Sequence, residues 1–352
     1  MTRSPAAQDT DPSARTLVGA AAAGTTAAAQ PPAAPKPATR AQRTFRLRAD
    51  ETVADGIRRV ARGQLADGAD ELAGVTRAGL GEAVHATRKG IKRVRAALRL
   101  SRDAIGEDVY GRENTHLRMI AGRLAGARDA RVLLETLTAL EKRFEDQLPR
   151  AATAALRARL EDDHERAITA LAEDGDVAAR TAQALDEAQA RTVQWSFERD
   201  DFGALKPGLR RIYGRGRKQL RAACKEASAE SLHDCRKRVK DLWHVAQILR
   251  PAHPKRMKRL ARDAHELANL LGDHHDLSVL RDYVEVHPQL FAGPAPRDAL
   301  LVVVDRRRDT LRRRALKLGR RLYKRSPKRF VKTLERGWRK RVGAAQRSLA
   351  AG

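Results

Sequence analysis

Only two cysteines occur in the 352 residues, Cys224 and Cys235. They suggest no disulfide framework and no Cys-x-x-Cys metal spacing, so a reduced, cytoplasmic protein is expected. Aromatic residues are scarce at 4%. Few ring faces are therefore available on which nucleic-acid bases could stack. No stretch approaches the ~20 apolar residues of a membrane span, and insertion into a bilayer is not expected. The Ala-rich stretch 16–29 follows Asp9 and Asp11 and lacks the Leu/Ile/Phe core of a secretory signal. No Gly-rich phosphate loop, activated nucleophile or metal-holding set of carboxylates is visible. These absences argue against an enzyme of phosphoanhydride chemistry, and no cofactor or metal is expected.

Acidic residues are the other shortage. There are 44 of them against 71 Lys and Arg, a net charge of +27. Such a balance attracts phosphate-rich partners and repels itself, so bound anions should stabilise the fold. The 42% of hydrophobic residues still suffices for a large core. Ala, Leu, Val and Arg dominate, which favours helices over strands.

Residues 1–42 are rich in Ala, Pro and Thr. Pro31, Pro32, Pro35 and Pro37 forbid a continuous helix there. A disordered tail over 1–42 and a helical domain over 43–347 are expected, the latter in halves of about 43–200 and 203–347. Periodicity and breakers predict helices over 51–75, 81–104, 114–124, 129–144, 151–172, 176–198, 205–227, 230–250, 254–270, 276–286, 297–324 and 327–347.

The halves carry a repeated motif. His-x-x-Arg-Lys-x-x-Lys occurs at His85, Arg88, Lys89, Lys92 and again at His233, Arg236, Lys237, Lys240, 148 positions later. A second anchor follows each copy: Asp129 with Val132-Leu133, and Asp276 with Val279-Leu280. These anchors lie 44 and 43 positions beyond their histidines. Matched anchors at matched spacing point to a duplicated half-domain and two helical bundles.

On a helix, His85, Arg88, Lys89, Lys92 and Arg99 fall within a sector of about 100°. Val84, Ile91, Val94 and Leu98 occupy roughly the opposite side. The second copy behaves alike: His233, Arg236, Lys237, Lys240 and His244 on one face, Leu232, Val239, Leu242 and Leu249 on the other. Like charges at i,i+4 repel by a few tenths of a kcal/mol per pair. A face that accepts this cost is either well hydrated or built to meet an anion. Arg forks onto phosphate oxygens, Lys supplies a mobile charge, and His can gain a proton beside phosphate. The tract Asp273-His274-His275-Asp276 could offer metal ligands, but neighbouring Arg and Lys would repel a cation.

The order of these motifs resembles the CHAD family, the conserved histidine α-helical domain. The residues responsible are Glu51 to Ile57, Val84-His85-x-x-Arg88-Lys89-x-x-Lys92-Arg93-x-Arg95, Arg128-Asp129-x-x-Val132-Leu133, Tyr213-x-Arg215-Gly216-Arg217 and Leu232-His233-x-x-Arg236-Lys237-x-x-Lys240. The resemblance spans about residues 44–347. It implies an all-α fold of two pseudo-symmetric four-helix bundles with a basic groove or pore. It further implies non-enzymatic binding of inorganic polyphosphate and targeting to polyphosphate granules. Many members carry a CYTH triphosphatase domain first. Residues 1–43 are too short for one, so a stand-alone CHAD protein is expected.

Carried over, His85, Arg88, Lys89, Lys92, Arg95, His233, Arg236, Lys237 and Lys240 would line that groove, with Arg217 from the third motif. The stripe adds Arg99. Among the basic residues after each motif, Arg118, Arg123, Arg259 and Arg262 are the further candidates. Basic runs at 210–221 and 306–329 extend the charge without a specific assignment. The competing expectation is non-specific nucleic-acid binding at the nucleoid, which needs only the charge.

Overall fold

The computed structural model describes residues 44–350 apart from 125, 149, 174 and 175. The tail expected over 1–42 lies outside these residues. The described chain is all-α, with no strand among the described residues. The first half contains α1 (Val53–Leu72), α2 (Leu80–Ile105), α3 (Glu107–Arg123), α4 (Gly126–Arg143), α5 (Arg150–Glu173) and α6 (Val177–Arg191). The second contains α7 (Lys206–Lys225), α8 (Ala229–Ile248), α9 (Pro254–Val286), α10 (Pro294–Leu322) and α11 (Pro327–Ala350).

Local chemistry sets several of these boundaries. Thr52 caps α1, its Oγ1 accepting from the Asp55 amide at 3.1 Å. Ser228 caps α8 in the same way through the Ser231 amide. Gly106, at φ +83°, separates α2 from α3 with a backbone that L side chains rarely adopt. That turn starts α3 at Glu107, seven residues before the helix expected from residue 114.

One expected break is absent. The spans 254–270 and 276–286 form a single 33-residue helix, α9. Leu270, Leu271, His274 and Leu277 are all buried there, so the tract that reads as polar punctuation packs continuously. Gly272 stays helical and its bare Cα accommodates the Arg236 side chain, whose Nη2 lies 3.2 Å from where a Cβ would stand.

Helices α1, α2, α3 and α6 pack in a ring, and α7, α8, α9 and α10 close a second, with α11 laid along α7. The α4–α5 hairpin leans on α9 and α10. One large hydrophobic core runs through both halves, from Leu47 to Trp338, with a small satellite of Leu80, Val84 and Leu124. The motif helices expose one face each and bury the other: Val84, Ile91, Val94 and Leu98 in α2, Leu232, Val239 and Leu242 in α8. Between the halves, α2 packs on α7 and α8.

The α2–α7 crossing is unusually close. A Cβ on Gly208 would stand 1.9 Å from the Leu100 carbonyl oxygen, which is backbone and cannot rotate away. Gly208→Ala must therefore push the halves apart, at a cost of about 1–3 kcal/mol or more. Gly214→Ala on the same helix meets only Pro327 Cγ at 3.8 Å. It should be neutral or stabilising by up to ~1 kcal/mol. Urea denaturation of the two variants measures the contrast, and equal midpoints would contradict the close crossing.

A cationic cleft as the candidate anion-binding site

Docking the halves brings the two motif helices to one cleft of about 470 Å³. Lys92, Arg95, Arg99 and Arg102 enter it from α2, Arg211 and Arg215 from α7, and Lys237, Arg238 and Lys240 from α8. Nine cationic side chains thus face one lining carboxylate, Asp241. Tyr110 and Asn114 of α3 and His244 of α8 complete the wall.

Ion pairs brace the cleft, two of them, Arg99–Asp241 and Arg211–Asp103, crossing between the halves. Arg99 Nη1 donates to Asp241 Oδ1 at 2.9 Å, and Arg238 Nη1 donates to Asp241 Oδ2 at 3.2 Å. Arg211 reaches Asp103 at 2.7 Å and the Arg99 carbonyl at 3.1 Å. Arg102 forks onto Glu107 at 2.5 and 2.7 Å and covers the Tyr110 ring. Lys237 pairs with Asp234 at 2.6 Å. Asp103, Asp234 and Glu107 stand just outside the lining and engage Arg211, Lys237 and Arg102.

Arg95 carries the clearest mark of this crowding. Its Nε donates to the neutral Asn114 Oδ1 at 3.0 Å. Burial, and then the neighbouring Arg99, push its pKa down to about 10. It remains a cation at neutral pH, held where an anion would relieve the repulsion.

Of the residues singled out in the sequence, Lys92, Arg95, Arg99, Lys237 and Lys240 meet in this cleft. The two motif histidines do not line it. His85 is exposed, about two turns before Lys92, with Lys89 exposed beside it. His233 is half-buried, its ring 4.5 Å from that of His275 on α9, and burial holds its pKa below the usual histidine value. Arg88 donates to the Ala121 carbonyl at 2.6 Å and anchors the end of α3. Arg236 lies over Gly272. Both arginines tie the motif helix to the helix that follows it. Arg118 is exposed near Arg95, whose charge it opposes, while Arg123 is exposed at the end of α3. Arg217 is half-buried beside Tyr213 on another side of α7. Arg259 lines a separate cavity, and Arg262 pairs with Asp263 at 2.8 Å. The side chains of Arg128 and Asp129 lie outside the described residues.

Sequence reasoning left Arg102 and Arg238 unassigned, recognised Arg211 only as a member of a basic run, and read Arg215 in the Tyr213-x-Arg215-Gly216-Arg217 motif without assigning it to the groove. One signal for Arg102 was present: Arg88, Lys92, Arg95, Arg99 and Arg102 recur at alternating spacings of four and three. Among the described residues, no group of three or more His, Cys, Asp or Glu is arranged to hold a metal ion. No helix there is long and apolar enough to cross a membrane.

A family model for the CHAD domain matches residues 59–285. Among solved structures, the CHAD domain from the plant Ricinus communis superposes with a TM-score of 0.59 at 18% identity. That match covers 83% of this chain and 99% of the other. PptA from Streptomyces chartreusis superposes at 0.54 with 17% identity, covering 78% of this chain and all of the other. At these identities the likeness is one of fold. No curated protein sequence matches this chain.

Two buried histidines should make the fold acid-sensitive. His244 and His274 are each 5% exposed. Burial, with Arg93 next for His244 and Arg308 for His274, pushes their pKa values to about 3 and about 4. An unfolded imidazole takes its proton near pH 6.5, so below that value the unfolded state binds more protons and stability falls. Each histidine should remove about 2 kcal/mol between pH 7 and pH 5. Urea midpoints across this range measure the loss, and His244→Gln should retain a smaller pH slope. A flat profile would contradict the buried neutral state.

Proposed function

The chain belongs to the CHAD domain family, and from that membership we propose that it binds inorganic polyphosphate in the cleft between the two motif helices. The observation that carries this reading is the gathering of nine cationic side chains from both halves, against one lining carboxylate, in one 470 Å³ cleft. Successive phosphates of a linear polyanion would meet Lys92 and Arg95 on one wall and Lys237 and Lys240 on the other. Lysines supply mobile charge, while the braced Arg99, Arg238 and Arg211 keep the walls apart.

A base-free polyanion fits better than nucleic acid. Trp243 is already stacked on His265 and His244, with ring centroids 4.4 and 4.8 Å apart. Tyr110 lies under Arg102. Stacking platforms of the kind single-stranded nucleic acid uses are therefore few. Binding without turnover is part of the proposal. The cleft's one lining carboxylate is engaged by two arginines, and no activated nucleophile stands beside it. Binding would recruit the protein to cytoplasmic polyphosphate granules.

Competition is the direct test. Long-chain polyphosphate should displace labelled duplex DNA at matched phosphate concentration. Lys92→Gln, Lys237→Gln and Lys240→Gln together should weaken polyphosphate at least about tenfold and DNA less, since losing three phosphate contacts costs charge-assisted bonds. DNA winning the competition, or an unchanged triple variant, would overturn the assignment. For about five neutralised phosphates, affinity should fall roughly 100-fold between 50 and 200 mM salt. A salt-insensitive affinity would argue against charge-driven binding. Orthophosphate release in the presence of Mg²⁺ would instead favour an enzyme.

A further inference from the structure

A second cavity, of about 200 Å³, lies where α7, α9 and the α10–α11 junction meet. Arg256 and Arg259 come from the first two turns of α9, and Arg321, Lys324 and Arg325 from the junction. Their placement is not a by-product of ion pairing. Among the described residues, none of the five makes an ion pair, and the cavity's one carboxylate, Asp263, is held by Arg262 at 2.8 Å. Burial, followed by Arg325 and Arg259, lowers the Arg256 pKa, which reports the same unrelieved crowding. The floor is aromatic. Tyr213 and Phe330 stack at 4.2 Å with 13° between their planes, and the Tyr213 hydroxyl donates to the Leu322 carbonyl at 3.2 Å. Helices α9 and α11 both begin here, and neither has an acidic residue in its first turn. Their positive ends add to the field of the side chains.

We propose that this cavity is a separate site for a short condensed phosphate, a diphosphate or triphosphate group, bound by Arg256, Arg259 and Arg325 over the Tyr213–Phe330 floor. Its volume is less than half that of the cleft. It suits a compact, multiply charged group and leaves little room for a nucleoside. The site does not depend on the reading of the cleft. The two cavities are divided by α7, where Ile212 lines the cleft and its neighbour Tyr213 lines this pocket.

Calorimetric titration of the full chain with tripolyphosphate, at about 150 mM salt to suppress long-range attraction, tests the proposal. Arg259→Gln with Arg325→Gln removes two exposed charges and should leave the melting temperature of the free protein unchanged or raised. It should weaken tripolyphosphate at least tenfold, and Arg259→Lys with Arg325→Lys should restore most of the affinity. The Lys92, Lys237 and Lys240 variant of the cleft should bind tripolyphosphate within threefold of the parent. Unchanged affinity in the pocket variant overturns the site, as does loss of tripolyphosphate binding in the cleft variant. ATP should bind more weakly than tripolyphosphate, and tighter binding of ATP would contradict the compact ligand. Failure of the cleft reading would appear instead with long-chain polyphosphate.

Discussion

Asp241 is the one carboxylate in the cleft wall, and it holds Arg99 from the opposite half together with Arg238 from its own helix. Nearly every other feature of the cleft follows from that arrangement. Two arginines are fixed in place by a single buried anion, and Lys92, Arg95, Lys237 and Lys240 are drawn into the same cleft around it. Breaking such a pair leaves uncompensated charge in a partly desolvated place, which is far costlier than losing an exposed ion pair. The brace thus fixes where the halves meet and concentrates positive potential at the same point.

Packing supplies the precision. The backbone contact at Gly208 lets α7 approach α2 closely enough for Arg211 to reach both Asp103 and the Arg99 carbonyl. Nearer the N-terminal end of each motif helix, Arg88 grips the end of α3 and Arg236 lies over Gly272 of α9. The motif arginines therefore set helix geometry, while the lysines and arginines further along the helix meet solvent in the cleft. Binding a polyanion would lower the repulsion that the apo cleft stores, so affinity and stability are coupled through the same charges.

Much of this was legible in the chain. Hydrophobic period, caps and prolines gave the helices, and the two copies of His-x-x-Arg-Lys-x-x-Lys separated a core stripe from a cationic one. What could not be read was which part of each stripe meets the other half. Helical angle places His85 and Lys92 on one face, yet only Lys92 reaches the cleft, because the crossing lies toward the C-terminal end of α2. Gly272 looked like punctuation and proved to be a seat for an arginine inside one long helix. Arg102 and Arg238 escaped notice because each has an acidic neighbour, Glu107 and Asp241, which makes it read as an ordinary paired surface residue. Tertiary docking, rather than local pattern, decides those roles.

The charge gathered from both halves into one cleft should hold a phosphate polymer. Crystals grown with polyphosphate of defined length, with phosphorus located in difference density, address it directly. Ordered phosphates spanning from Lys92 and Arg95 to Lys237 and Lys240 are the predicted result. A chain ordered elsewhere on the protein, with the cleft holding only water, would contradict it.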